Sequence, residues 1–573
     1  MFVILKNHSL RSKHLIHLFI FFSYSFCNSQ ELSLLFFSES ESEEKILNEI
    51  NYTKSHSDLN SIKRTLVDFK TLLYKRGYID AEISRGSNNQ KEINKKYTYK
   101  VSLNKKHNSI YIEIPDNFSK EAKEKLFNIT TNDNQTRIDL ENLENKLYEI
   151  NNFLANQGKP FTYSEISEIS KKNDSLIGKL TANQSHTRNI THIEIKGYDK
   201  FPKSYIRHYL NLKERQIFNK QIINERVERI ENLSFSESTR KPEVLFQKDS
   251  TSVFLYLKKR NSNNFDGYLG FATNEETNNL EFNGYLNLQL ENNFNSGEKL
   301  NILYRNDGEQ QLEFDAKLEV PYLFNTPLGI ELNLNLFKRD STYTNTIQSI
   351  KANYQLNPKI KLNTGYYSEI SNNLQNENII STNEDFESKR LLLGGDIFFK
   401  QYRTFFFKRK SFLKTEIGIG HRKTNTNKEP QQLYKIEVNY QYLINNRNAI
   451  FLRNSSSFLN SDNYLNNELP RLGGINTVRG FEENSINSNL YSSFQLEYQY
   501  LLSPAIYAHT ITDITYLETP KIENAENLIS LGFGLGLQTK VGNLRLMFAN
   551  GKTSDQNFDF NNTKVHLQLS ATF

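Results

Sequence analysis

The residues best suited to specific chemistry lie in one stretch, residues 469–486, which holds Gly473, Gly474 and the tetrapeptide Val478-Arg479-Gly480-Phe481. An arginine offers a planar fork of donors that matches a carboxylate in two parallel hydrogen bonds. A neighbouring glycine lets the backbone turn tightly, and a phenylalanine can act as an apolar anchor. Alone, such a tripeptide is typical of an ordinary loop. In a loop that folds back into a polar interior, it would bind an acidic partner on the inner wall.

Motifs that carry catalysis in other proteins are missing from this sequence. It holds no phosphate-cradling Gly-rich loop ending in Lys-Ser/Thr, no His-Glu-x-x-His and no Gly-x-Ser-x-Gly. Its histidines are scattered and are better explained by surface or interior positions than by metal binding. We therefore predict a protein that is not an enzyme and that has no cofactor and no metal site.

The stretches around the tetrapeptide alternate apolar and polar residues, segment after segment, from residue 263 to residue 573. In one segment Phe494, Leu496 and Tyr498 alternate with Gln495 and Glu497. A period of two is typical of strands with one apolar and one wet face. The runs number about sixteen and have roughly the length that a tilted strand needs to cross a bilayer. A soluble sandwich or propeller also alternates, but rarely with so many strands of this length.

The predicted fold of residues 263–573 is therefore an all-β transmembrane barrel of sixteen antiparallel strands. No segment after the N-terminal leader has 18 consecutive apolar residues, so a helical span is not expected. The last segment places five apolar residues on one predicted lipid-facing side: Val565, Leu567, Leu569, Ala571 and the terminal Phe573. An aromatic residue that ends such an alternation resembles the sorting signal of outer-membrane barrels.

Residues 1–29 read as a cleaved export signal. Three basic residues precede an apolar run over residues 15–26, and Cys27-Asn28-Ser29 supplies small residues for a cut before Gln30. Lipidation of Cys27 is the alternative, although the bulky Phe26 departs from such sites. The net charge is +6, and the three leader charges account for half of it. What remains is too small to favour a nucleic-acid partner.

Three smaller units precede the predicted barrel, at residues 30–108, 109–188 and 189–262. Each mixes strand and helix periods in the order β-α-α-β-β. In the first, Ile62, Leu66 and Phe69 recur at helical spacing, and the helix is expected to end at Gly77. The sequence thus predicts three α+β domains followed by one barrel.

This organisation resembles the BamA and TamA assembly-factor family and its two-partner secretion relatives. Gly77-Tyr78-x-x-Ala81 in the first unit, and Gly197 after the first strand of the third, are similar to POTRA (polypeptide-transport-associated) domains. The Gly-Gly pair and Val-Arg-Gly-Phe, between the predicted eleventh and twelfth strands, resemble the sixth outer loop of that family. Three POTRA-like units and 573 residues look closer to TamA than to BamA.

The resemblance also implies a partner for Arg479. In the family an aspartate on the thirteenth strand pairs with the loop arginine, and the matching position here is Asp513. Ile511 replaces the usual Phe or Gly of that pattern. Glu497 and Glu437, on other inward faces, remain alternative partners.

What the resemblance implies about function is the insertion of outer-membrane proteins. The expected location is the bacterial outer membrane, with POTRA domains in the periplasm. The expected partners are unfolded outer-membrane clients, lipid, and an inner-membrane or periplasmic assembly partner, with no nucleic acid. A client strand would pair at a weak seam between the first and last strands, where Gly267 and Gly270 disfavour regular pairing. The rival expectation is a pore for solute or for one secreted protein.

Overall fold

The structure is a computed structural model. It describes residues 32–86, 96–129, 134–172, 175–183, 185–273, 280–306, 311–375, 383–399, 411–520, 525–539 and 542–572. The predicted leader with Cys27, and the terminal Phe573, lie outside these ranges. By its contacts the chain divides into two compact units, residues 1–188 and residues 189–573.

The first α+β domain consists of β1 (Leu32–Phe37), α1 (Glu41–Asn48), β2 (Ser55–His56), α2 (Leu59–Lys75), β3 (Glu82–Arg85) and β4 (Lys96–Ser102). Its sheet has the order β2-β1-β4-β3, with β1 parallel to β4. The helix α2 covers the sheet because Ile62, Phe69 and Leu73 share one face and are buried. The rings of Phe36 and Phe69 stack with their centroids 3.8 Å apart.

The second domain repeats this arrangement with β5 (Ser109–Glu113), α3 (Lys120–Phe127), β6 (Gln135–Asp139), α4 (Leu140–Asn156), β7 (Tyr163–Lys172) and β8 (Ser175–Asn183). Its sheet order is β6-β5-β8-β7. The third domain has β9 (His192–Lys196), a π-helical turn (Tyr205–Tyr209), α5 (Lys220–Glu228), β10 (Ser236–Ser238), β11 (Glu243–Phe246) and β12 (Thr251–Lys259). The order expected from the sequence is thus kept, and each domain adds one short strand to its sheet.

A glycine ends the long helix in each of the first two domains. The Gly77 and Tyr78 N–H groups donate back into the last turn of α2, and Gly158 does the same after α4, which is a Schellman ending. Each glycine carbonyl then accepts from the last residues of its own domain: Gly77 from the His107 N–H at 2.8 Å, and Gly158 from the Arg188 N–H at 2.7 Å. The helix end therefore fixes where the chain leaves the domain.

Sixteen antiparallel strands form a closed barrel in the second compact unit, which confirms the predicted fold. They are β13 (Asn264–Thr273), β14 (Leu280–Glu291), β15 (Lys299–Asn306), β16 (Gln311–Val320), β17 (Leu328–Arg339), β18 (Tyr343–Asn357), β19 (Ile360–Asn373), β20 (Phe386–Phe398), β21 (Phe412–Thr424), β22 (Lys428–Leu443), β23 (Asn448–Asn460), β26 (Leu490–Ser503), β27 (Ile506–Glu518), β28 (Glu526–Gln538), β29 (Gly542–Lys552) and β30 (Lys564–Thr572). Between β23 and β26, the short β24 (Arg471–Leu472) and β25 (Ile486–Asn487) pair with each other.

The barrel strands have their polar side chains inside and their apolar side chains outside. On β26, Phe494 and Leu496 are 59% and 41% exposed, whereas Gln495 and Glu497 are 5% and 2% exposed. This is the reverse of a soluble protein, and an apolar outer belt of this kind is stable only against lipid. The strands therefore form a membrane barrel. Among the described residues, no helix has the length and apolar character to cross a membrane.

The barrel closes between its first and last strands, β13 and β30, through a short contact. Among the described residues only two pairs are in register, Asn264 with Thr572 and Phe265 with Ala571. By contrast, β30 pairs with β29 through eight residues and β13 with β14 through ten. The Asp266 side chain adds two further contacts between the two strands: it accepts from Gln568 Nε2 at 3.3 Å and from the backbone N–H of Leu569. We call this contact the seam.

The third domain packs against the barrel turns that follow β14 and β16. The Tyr205 side chain is buried, and its hydroxyl donates to the Gly297 carbonyl at 3.2 Å. Tyr322, in the second turn, belongs to the hydrophobic core of the third domain and lies edge-on to Tyr205. Burial raises the pKa of Tyr205 well above its ordinary value, so this contact stays neutral. We call this end of the barrel proximal and the opposite end distal.

Candidate functional site

The insertion between β23 and β26, residues 461–489, leaves and re-enters the wall at the distal end and runs through the barrel interior. We call it the lumen loop. It lies between the eleventh and twelfth barrel strands, where the sequence placed it. Its contacts reach strands on nearly every side of the barrel, so the loop spans the lumen.

Arg479 sits at the centre of these contacts and is 2% exposed. Its Nε donates to Asp513 Oδ2 at 2.9 Å and its Nη2 to Asp513 Oδ1 at 2.5 Å, so the fork is bidentate. Its backbone N–H also donates to Asp513 Oδ2, at 3.0 Å. Its remaining Nη1 donates to Glu497 Oε1 at 2.6 Å. Asp513 lies on β27, the thirteenth barrel strand, and Glu497 lies on β26.

Two carboxylates, those of Asp513 and Glu497, therefore bind one guanidinium. The sequence offers these two residues as alternative partners of Arg479, and in the structure both contact it. Glu497 also accepts from Gln499 at 2.8 Å, and Arg545 on β29 lies 3.6 Å from it. The other alternative, Glu437, lies 3.4 Å from Arg453 instead. Glu437 is thus not a partner of Arg479.

The departure at Ile511 has a local explanation. Its side chain is 1% exposed and packs with Met547 and Ala549 on β29, and with Ile475 of the lumen loop. An apolar side chain at this position fills the space beside the loop without displacing Asp513.

Gly480 and Phe481 bring the loop tip directly onto the barrel wall. Gly480 has a φ of +86°, and a Cβ there would lie 2.7 Å from Ser530 Oγ and 2.8 Å from the Gly551 nitrogen. The Phe481 ring lies over Gly551, where a Cβ would come within 2.5 Å of the ring. Only glycine fits at both positions. The Arg-Gly-Phe tripeptide indicates this requirement at Gly480, whereas no motif in the sequence indicates it at Gly551.

The other loop residues singled out in the sequence shape the tip. Val478 is fully buried in a cluster with Leu472, Leu517 and Leu528. Gly473 and Gly474 have positive φ values of +112° and +89°. The Gly474 N–H donates to the Phe481 carbonyl at 3.1 Å, which closes the tip into a compact turn.

A second anchor, which the sequence analysis missed, holds the start of the loop to the far wall. Glu468 is buried and accepts from Arg422 on β21 and, at 2.8 Å, from Gln431 on β22. The neighbouring Asn467 donates to Ser371 on β19 at 2.7 Å. Only the acidic residue before the Pro-Arg-Leu-Gly-Gly run could have suggested this anchor.

The remaining predicted residues lie outside the lumen. Gly77, Tyr78 and Ala81 belong to the first domain, where Tyr78 and Ala81 are part of its core. Gly197 has a φ of +90° just after β9. On the last strand Val565, Leu567 and Leu569 are exposed on the outer face, and Ala571 is half-buried. Within the described ranges, no group of three or more His, Cys, Asp or Glu residues could hold a metal ion.

Comparison with known proteins identifies the third domain. The POTRA family, described as "Surface antigen variable number repeat", matches residues 189–258. A search of curated proteins by sequence gives no match.

Among solved structures, CdiB from Escherichia coli is 13% identical, with a TM-score of 0.54 over 90% of this chain and 97% of that one. CdiB from Acinetobacter baumannii is 14% identical, with a TM-score of 0.50 over 82% of this chain and 90% of that one. BamA from Haemophilus ducreyi lacking POTRA domains 1–3 is 14% identical, with a TM-score of 0.45 over 75% and 93%.

The fold and the POTRA match define the class: the chain is a POTRA-plus-barrel protein with sixteen strands. Its fold is similar to that of the two CdiB structures.

Proposed function

We propose that this protein inserts unfolded outer-membrane proteins into the outer membrane, receiving them through its POTRA domains and releasing them through its barrel. The observation that carries the proposal is the seam, which two registered pairs hold closed. In this proposal the protein acts without enzymatic chemistry, nucleotide or cofactor. Insertion is driven by strand pairing and by lipid.

A short seam supports strand exchange for a simple reason. Backbone N–H and C=O groups inside a membrane have no water to bind, so an unpaired strand edge is costly and readily accepts another strand. Beyond Phe265, β13 pairs only with β14 among the described residues. A client strand that adds to this edge gains a full ladder of main-chain hydrogen bonds.

The POTRA domains offer edges for the earlier step. In the second domain, β7 is an edge strand of ten residues, and Tyr163 and Ile169 on it are exposed. An extended client segment can add to such an edge while its apolar side chains contact these residues. We further propose that a periplasmic or inner-membrane partner delivers clients to this region.

Depletion of the protein followed by quantitative proteomics of the outer membrane tests the proposal. We expect many barrel proteins to fall together, and re-expression of the unmodified chain to restore them. A matched complementation with Lys317→Ala, which alters a lumen cation that pairs with Glu331 on the neighbouring strand, should restore them equally. An unchanged outer-membrane profile would contradict the proposal.

The second candidate is export of one dedicated protein, the two-partner secretion role. It is favoured by the likeness of fold to the two CdiB structures, which extends over most of both chains. Loss of a single exported protein on depletion, with the other barrels intact, would support this role instead. Altered permeability with no protein lost would favour a solute pore.

A further inference from the structure

Two consecutive carboxylates at the tip of the lumen loop reach opposite sides of the seam. Glu482 Oε1 lies 2.9 Å from Lys564 Nζ, on the last strand β30. Glu483 Oε1 lies 2.7 Å from Arg305 Nη1, on β15, the third strand. The Glu483 carbonyl also accepts from Gln311 Nε2 on β16, at 3.0 Å. The loop tip thus connects the two edges of the barrel from the inside.

These contacts lie where the strands themselves are not paired. The registered seam pairs use Ala571 and Thr572, at the proximal end of β30. Lys564 is the first residue of β30 and Arg305 is the next to last of β15, and both positions are at the distal end. In the part of the chain that the structure describes, the loop tip joins the two sides of the seam at this distal end.

We propose that Glu483 is a latch that keeps the distal half of the seam closed. Arg479 fixes the loop to β26 and β27, and Glu482 fixes its tip to β30, so both attachments lie on one side of the seam. Of the described residues at the loop tip, Glu483 is the one that crosses to the first strands beyond the seam, through Arg305 and Gln311. Asn467 and Glu468, at the start of the loop, attach farther round the wall, to β19 and β21. Opening of the seam then requires release of Glu483. The inference rests on the proposed use of the seam for client insertion.

The Glu483–Arg305 contact is weaker than the Arg479–Asp513 contact beside it. The Glu483 and Arg305 side chains are 30% and 20% exposed, whereas those of Arg479 and Asp513 are 3% and 0% exposed. Water therefore competes for the first pair and not for the second. The Glu483–Arg305 pair can part while Arg479 holds the loop in place.

Gly474 is explained by the same contact. A Cβ at Gly474 would lie 1.7 Å from Glu483 Oε2. The second glycine of the Gly-Gly pair therefore leaves the space in which the carboxylate turns towards Arg305. Gly474 thus leaves room for Glu483 in addition to closing the turn of the loop tip.

Two engineered disulfides from neighbouring loop positions test the latch. Cys27 is the only cysteine of the sequence, so a Cys27→Ser background makes each pair unambiguous. The pair Glu483→Cys with Arg305→Cys crosses the seam. The pair Glu482→Cys with Lys564→Cys does not, and serves as the matched control.

The readout is backbone hydrogen exchange of β13 and β30 in the full chain in lipid nanodiscs, without client. We expect the oxidised crossing pair to slow exchange, and the oxidised control pair to leave it unchanged. Glu483→Gln should speed exchange about fivefold, as expected for loss of a partly exposed ion pair, and Glu482→Gln should have a smaller effect. In a double-mutant cycle, Glu483→Gln and Arg305→Gln should not be additive.

Equal effects of the two disulfides, or additive effects in the cycle, would overturn the latch. A second assay, insertion of a client barrel into liposomes, separates this inference from the proposed function. If the crossing disulfide slows exchange and also stops insertion until it is reduced, both stand. If exchange slows and insertion proceeds, the latch stands and the proposed function fails.

Discussion

Replacing Arg479 by alanine tests the main anchor of the lumen loop. The substitution removes the bidentate contact to Asp513 and the contact to Glu497. Both carboxylates are almost completely buried. They would be left as two negative charges in the barrel interior without their arginine, although Glu497 keeps its contact with Gln499 and lies 3.6 Å from Arg545.

The expected cost follows from that burial. Removing one partner of a buried ion pair typically costs about 3–5 kcal/mol, because the other charge stays desolvated. At about 1.4 kcal/mol for each factor of ten, the docked loop becomes less favoured by roughly two to four orders of magnitude. The barrel itself should persist, because its backbone ladder does not involve Arg479.

Hydrogen exchange reports this change directly, since the backbone N–H of residue 479 donates to Asp513 in the docked loop. We expect loss of protection over residues 474–483 in Arg479→Ala, with the barrel strands still protected and the heat-modifiable band on gels retained. Lys317→Ala is the control, because Lys317 pairs with Glu331 on the neighbouring strand at 2.8 Å and its side chain is 35% exposed. Such partly exposed pairs contribute about 1 kcal/mol or less.

Normal protection of the loop in Arg479→Ala would refute the reasoning. So would additive effects of Arg479→Ala and Asp513→Asn, since residues in one buried network should show strong coupling.

Three further results are expected. Glu468→Ala should cost about 1–3 kcal/mol in loop docking, through the lost contact with Arg422, and hydrogen exchange of residues 465–470 would measure it; unchanged exchange there would argue against a second anchor. Tyr205→Phe should lower the stability of the contact between the third domain and the barrel by about 1 kcal/mol, because it removes one hydrogen bond. Tyr205→Ala should cost about 3–5 kcal/mol. The thermal unfolding midpoints of the two variants allow this comparison. The hydrogen bond from Lys171 is the main cause that lowers the pKa of Asp80 below its ordinary value of 3.8. The stabilisation that this pair adds between the first two domains is therefore present above about pH 4 and is lost as the pH falls further. Fluorescence transfer between labels in those domains should show the loss, and Asp80→Asn should abolish the pH dependence.

Much of the architecture could be predicted because it depends on the local periodicity of apolar residues. Alternation with a period of two makes one face of every strand apolar, as at Phe494 and Leu496, and this pattern predicts an inside-out barrel without knowledge of any contact. The α+β domains were predictable for the same reason, since Phe69 and Leu73 mark a helical face and Gly77 marks its end. Arg479 and Asp513 could be paired from the resemblance to known loops.

Other features depend on which distant residues the barrel brings together. That Glu497 shares Arg479 with Asp513, that Phe481 lies on Gly551, and that Glu468 meets Arg422 follow from the stagger of sixteen strands and the path of the loop across the lumen. No local pattern in the sequence encodes that stagger. The sequence by itself therefore determined the strands, their faces and the loop arginine. The tertiary structure decided the length of the seam and the residues that hold it, because those contacts join the two ends of a closed barrel.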